Sequence, residues 1–257
     1  SINEFSEGPK ISLIDLKKKL YKVRDILISE HKSLFLDQLE DVINKVNIFG
    51  YHFASLDIRQ DSRIHTKAFE KVFKIAQQKN LTSSKIDYNS LNDEDKSKSL
   101  SDLKGDISPN SFEDDLVVST LSSIRAMKSI QKLNGEKGSN RYIISNNQSS
   151  LNILEVFSMF RLSDWSNPSV DIVPLFETVS DLTVSSKVME SVYLNPIYRK
   201  HLINRGNQQT IMLGFSDGTK DGGYLMANWS ILKAKEALTS ISRKHGVKVV
   251  FFDGRGG

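Results

Sequence analysis

Cysteine is absent from the chain. That excludes a disulfide scaffold, a thiolate metal site and a thiol nucleophile, and it agrees with a cytoplasmic address. No run is long and apolar enough to span a membrane, and the first residues carry no signal-peptide pattern. Histidines are too few and wrongly spaced for a zinc site: His52 and His65 lack a third ligand, and His245 before Gly246 is accounted for as a cation at a helix C-terminus. The formal charge of +4 is spread along the chain rather than clustered, so nucleic-acid binding is not expected.

What is present is ordinary globular material, with 257 residues, 39% hydrophobic and 26% charged. Residues 1–50 read as helical, with stripes at Leu13, Leu16, Leu20, Val23 and Leu27 and at Leu36, Leu39, Ile43 and Val46 that predict core faces. A first strand is expected over residues 51–58, running into Arg59, Gln60, Asp61 and Ser62. Asp61 or Ser62 then caps a helix with Ile64, Ala68, Val72 and Ile75 on its apolar side. Residues 80–115 are rich in Ser, Asn, Asp and Lys and read as a polar surface excursion with one short helix. A helix over 112–133 and a turn over 134–140 follow. Trp165 and Trp229 read as packing residues.

Beyond residue 140 the pattern becomes regular. Strand candidates at 141–145 (RYIIS), 171–176 (DIVPLF), 210–215 (TIMLGF) and 247–252 (VKVVFF) alternate with helical segments, which predicts an α/β fold with a parallel sheet. Each strand hands over to charged or amide residues. In a parallel sheet those ends lie on one side, so Arg59, Glu177, Asp217, Lys220 and Arg255 are expected to converge as in a (β/α) barrel. The 210–215 run is the clearest case: it breaks into Ser216, Asp217, Lys220 and Asp221 among Gly218, Gly222 and Gly223, then enters an amphipathic helix. Such a loop suits an anion, and simple turn chemistry accounts for it equally well, as it does for Ser145 and Asn146. Two carboxylates among several cations suit a divalent metal together with a phosphorylated, carboxylated ligand.

The blocks FASLDIRQDSRIH (53–65), YIISN (142–146), VPLFET (173–178), RGNQQTIMLGFSDGTKDGG (205–223) and VVFFDGRGG (249–257) resemble, in order, those of the phosphoenolpyruvate carboxylase family in its bacterial form. The resemblance implies part of a helix-rich (β/α)8 TIM-like barrel in a cytoplasmic, usually tetrameric lyase. Such an enzyme joins bicarbonate to phosphoenolpyruvate with Mg or Mn, giving oxaloacetate and phosphate. It carries over the family's metal ligands to Glu177 and Asp217, its phosphate contacts to Arg59 and Arg255 beside Gly254, and its catalytic lysine to Lys220. Arg59, Lys220 and Arg255 are then the catalytic group.

Asp253 stands where the family commonly has His, and an anion there is expected to repel a phosphorylated intermediate unless it is paired or protonated. The family's N-terminal catalytic histidine block, its second glycine-rich loop, further arginines and most of the C-terminal helical part are missing. The chain opens on Ser1 and closes in glycines, so it reads as an internal fragment. It divides into a helical segment, 1–50, and a partial barrel, 51–257, together one incomplete domain. It is expected to be inactive alone and to self-associate through open edges. Two other readings are a non-catalytic anion-binding (β/α) module and a helical scaffold that binds a partner.

Overall fold

A computed structural model of the chain describes residues 11–254; Arg255 lies outside the described residues. The chain divides into two units, residues 1–56 with 126–140 and residues 57–125 with 141–257. No helix among the described residues is long and apolar enough to cross a membrane.

In the first unit α1 (Leu13–Glu30) and α2 (Leu36–Phe49) form where the apolar stripes run. Ser12 caps α1 by accepting the Asp15 N–H at 3.1 Å. The stripes are less covered than expected: α1 buries no residue, α2 buries Ile43, and Ile14, Val23 and Ile48 are exposed. Gly50 ends α2 at φ +51°, donating to the Val46 carbonyl. Residues 51–54 then turn, with Phe53 at φ +58° stacked on Phe49. The strand expected over 51–58 therefore begins only at Asp57.

In the second unit β1 (Asp57–Asp61), β2 (Arg141–Ser145), β3 (Asp171–Phe176), β4 (Gln208–Gly214) and β5 (Lys248–Gly254) form one parallel sheet in sequential order, without a reversal. β1 and β5 each have one neighbour, so the five strands do not close on themselves. Side chains alternate between faces. One face carries Arg59 level with Ile143 and Val173, and Leu175 level with Met212 and Phe252. On it Ile143, Val173 and Leu175 cluster with Met212 and Phe252. The other face meets helices: Tyr142 reaches His65 of α3 (Ser62–Gln78) at 2.9 Å, and Phe160 of α6 (Ser150–Arg161) edge-on.

Pro174 in β3 lacks an N–H, and the β3–β4 ladder pairs Leu175 with Met212 and Phe176 with Leu213. The gap below is filled by a side chain. Gln209 donates its Nε2 to the Ile172 carbonyl at 2.9 Å and to the Thr210 carbonyl at 2.8 Å, while accepting from Tyr198 of α8 (Pro196–Asn204) at 3.0 Å.

Residues 80–115 do more than run over the surface. They contain α4 (Asp93–Asp102) and bury Tyr88, Leu100, Leu103 and Ile107. Tyr88 packs on Phe69 and Phe73 and donates to Glu155 at 2.8 Å. Single apolar residues set in polar sequence leave no periodic signal, although each fills a hole in the core. After α5 (Asp115–Asn134) and β2–β3 come α7 (Val179–Leu194), α8 and α9 (Ser216–Lys244). The expected glycine loop after β4 is instead helical from Ser216 onward, because Phe215 already has αR geometry. Its only non-helical residue is Gly223, at φ 79° and ψ 168°, where the axis breaks.

Candidate functional site at the strand ends

The site is built from the handover of β3 to α7. Thr178 caps α7 by accepting the Asp181 N–H at 3.1 Å, and Asp181 accepts the Thr178 N–H at 3.0 Å. This reciprocal capping box leaves Glu177, the residue just past β3, in a defined position. Its Oε1 accepts from Arg59 Nη2 at 2.8 Å, and its Oε2 accepts the backbone N–H of Asn146 at 2.8 Å. Arg59 lies inside β1 rather than beyond its end, because the strand starts late; its side chain is 50% exposed against 15% for Glu177. Asn146 follows β2 at φ +52°, a conformation Asn tolerates, and its carbonyl accepts from Ser62 Oγ at 2.6 Å. The middle of β1 and the ends of β2 and β3 are thus tied through one carboxylate.

The fourth strand comes close because it ends in glycine. A Cβ on Gly214 would lie 3.1 Å from Glu177 Cα and 3.3 Å from the Phe176 carbonyl. Gly254, the last described residue, sits in register with Gly214. One on Gly254 would lie 3.7 Å from Gly214 Cα. Small residues therefore line the top of β4 and β5.

Asp217 and Lys220 behave differently. They pair with each other at 3.0 Å on the first turns of α9, both exposed, and neither hydrogen-bonds to Arg59 or Glu177. The structure joins Arg59 to Glu177 across 118 residues and leaves Asp217 with Lys220 as a separate pair. The sequence pointed to no role for Gly214 and left Asn146 open between an approach to the site and simple turn chemistry; the structure brings its backbone N–H to Glu177. A backbone N–H acting as a donor has no side-chain signal, and a missing Cβ is visible only once the neighbouring strand is placed.

Asp253 does not present the repulsive anion expected of it. It lies inside β5 and its carboxylate is held by Lys235 of α9 at 2.8 Å. It shares its face of β5 with Phe251, whose ring lies under the same Lys235, while Phe252 joins the cluster on the opposite face. Alternation directs the charge toward the helix, where it is paired.

Elsewhere Asp61 caps α3, accepting from the Arg63 N–H and side chain, and the Arg63 contact holds its carboxyl below the usual range. His65 and His201 are both pulled down to about 4, first by burial. Burial pushes Glu155 up, although Thr66 and Tyr88 both donate to it.

No group of three or more His, Asp or Glu placed to hold a metal ion occurs among the described residues. Glu177 and Asp217 carry the hard oxygen donors that Mg or Mn takes, but the structure pairs Asp217 with Lys220 and Glu177 with Arg59 rather than joining the two carboxylates. Each Glu177 oxygen accepts a single hydrogen bond and so retains a lone pair for a cation.

A model of the phosphoenolpyruvate carboxylase family matches residues 8–257. A phosphoenolpyruvate carboxylase from Nitrosomonas eutropha is 35% identical over 242 residues, covering 90% of this chain and 25% of the relative. One from Nitrosomonas europaea is 34% identical over 241 residues, again 90% of the chain and 25% of the relative. The chain spans about a quarter of the length of the curated relatives it matches.

Proposed function

The chain belongs to the phosphoenolpyruvate carboxylase family, and we propose that it supplies one part of a cytoplasmic enzyme that joins bicarbonate to phosphoenolpyruvate, giving oxaloacetate and phosphate. The observation that carries this is the contact of Arg59 with Glu177 at 2.8 Å, which unites two blocks recognised separately in the sequence. Sequential parallel strand order supports reading the sheet as part of a barrel, since a doubly wound sheet reverses its order at the ligand site.

In this reaction a bicarbonate oxygen attacks phosphorus and the bond from phosphorus to the enol oxygen breaks, leaving carboxyphosphate and the enolate of pyruvate. The enolate carbon then takes up the carboxyl unit and phosphate is released. The chain's contribution is positioning and charge. Arg59 is half exposed, so its guanidinium can exchange Glu177 for a phosphoryl oxyanion. Asn146 N–H keeps the other Glu177 oxygen fixed during that exchange. Lys220 offers a mobile point charge beside Asp217, and Arg255 is assigned to the phosphate by its block alone. Gly214 lets β4 approach β3 closely enough to set the Glu177 backbone against it, and Gly254 does the same for β5 beside β4. Glu177 and Asp217 would hold Mg or Mn, which when bound neutralises negative charge developing on the enolate and phosphoryl oxygens.

Alone, the chain is assigned no turnover. The test is calorimetry with Mn and phosphoenolpyruvate on the chain, on Glu177→Gln and on Asp217→Ala, beside a coupled assay for oxaloacetate. Metal-dependent binding lost at least tenfold in both variants, with no oxaloacetate formed, is the expected result. Binding indifferent to both substitutions would sink the ligand assignment, and steady oxaloacetate formation would sink the assignment of inactivity.

A further inference from the structure

A concavity lies where the chain enters β3, at the opposite end of the sheet from Glu177. It encloses about 240 Å³ and is lined by Lys104, Arg161, Ser166, Asn167, Lys200 and His201 over the ring of Phe157. Four segments build it: the exit from α4, the end of α6, the link from α6 to β3, and α8. Three of the lining side chains are cations and none is a carboxylate. Lys104 and Lys200 form no ion pair among the described residues. Arg161 is fixed by donating Nη1 to the carbonyls of Ser101 at 3.2 Å and Leu100 at 3.4 Å, with its guanidinium against Phe157. Asp102, which does not line the cavity and accepts from the Ser83 hydroxyl at 2.6 Å, offsets part of the Arg161 charge through space and leaves Lys104 and Lys200 uncompensated. His201 is buried against Phe157 and Tyr198 and stays neutral, so it forms wall rather than charge.

Cations gathered around a small hollow repel one another unless an anion sits between them. Charge-assisted hydrogen bonds from guanidinium and ammonium groups suit a tetrahedral oxyanion, and Ser166 and Asn167 add neutral donors. The volume lies below the range of roughly 300–1,000 Å³ usual for larger organic ligands. We infer that this cavity binds a compact oxyanion of the phosphate class through Lys104, Arg161 and Lys200, at a site separate from the strand-end carboxylates.

Trp165 adjoins Ser166 and packs on Phe160, so its fluorescence reports on this loop. The experiment titrates inorganic phosphate against chloride at constant ionic strength, on Trp229→Phe protein in which Trp165 is the only tryptophan. A saturable change with phosphate alone is expected. It should weaken at least tenfold in Lys104→Ala/Lys200→Ala, whose substituted side chains are exposed and whose fold is checked by circular dichroism. It should persist in Arg59→Ala/Lys220→Ala. An equal response to chloride, no saturable change, indifference to the two lysines, or loss in the Arg59 and Lys220 variant instead would each overturn the inference.

Discussion

His65 and His201 are enclosed by aromatic neighbours, His65 by Tyr142 and His201 by Phe157 and Tyr198. Both have native pKa values near 4, below the ordinary 6.5, so the unfolded chain binds the extra protons between those values. Stability from the neutral rings is therefore complete above about pH 6.5 and lost as pH falls toward 4, roughly 3 kcal/mol each as an upper bound. Glu155 works in the opposite sense, since its carboxyl is raised by burial and gains stability as it is protonated. Urea unfolding at pH 7 and pH 5 should show a net loss at the lower pH. His65→Gln, which keeps a polar partner for Tyr142, should remove about half of the pH slope. An unchanged slope would mean that the ring titrates normally.

At the scale of elements, β3 and β4 depend on two residues that no strand pattern marks. Gln209 substitutes for the ladder beside Pro174, so Gln209→Leu should cost about 2–4 kcal/mol by stranding the Ile172 carbonyl and the Tyr198 hydroxyl. Denaturant unfolding measures this, and a loss under 1 kcal/mol would show that the gap is closed some other way. Gly214→Ala presses a methyl against backbone rather than a flexible side chain, and should destabilise by about 1–3 kcal/mol. A crystal structure of that variant should show Glu177 displaced from Arg59; an intact 2.8 Å contact would contradict the close-approach account. The strands β2 and β3 were legible to the residue because continuous apolar runs signal burial on both faces. β1 was displaced because Tyr51 and Phe53 have strand-like composition but lie in a turn, with Tyr51 donating to the Ile11 carbonyl. Of the site, the residue types and the Arg59–Glu177 convergence followed from parallel strand ends. The Asn146 N–H and the Lys235–Asp253 pair did not, since one is backbone and the other depends on which face of β5 meets α9.

Over the whole molecule, apolar surface remains uncovered on α9, where Leu225 is 83% and Trp229 55% exposed beside Tyr224, Met226 and Leu232. A groove of about 690 Å³ between α7 and α9 includes Met226 and Trp229. Sedimentation velocity should therefore show concentration-dependent association, reduced in Leu225→Ser/Trp229→Ser. A chain that stays monomeric at high concentration would show that this patch tolerates water. The break at Gly223 gives α9 two mechanical parts. The short leading part, with Asp217 and Lys220, takes its direction from the end of β4, while the long trailing part takes its direction from α7. A change in the direction of the trailing helix is therefore first taken up at the Gly223 dihedrals, and it reaches the Asp217–Lys220 ion pair through the tight packing of Gly222 on Val179 and Met226 rather than along an unbroken helix axis.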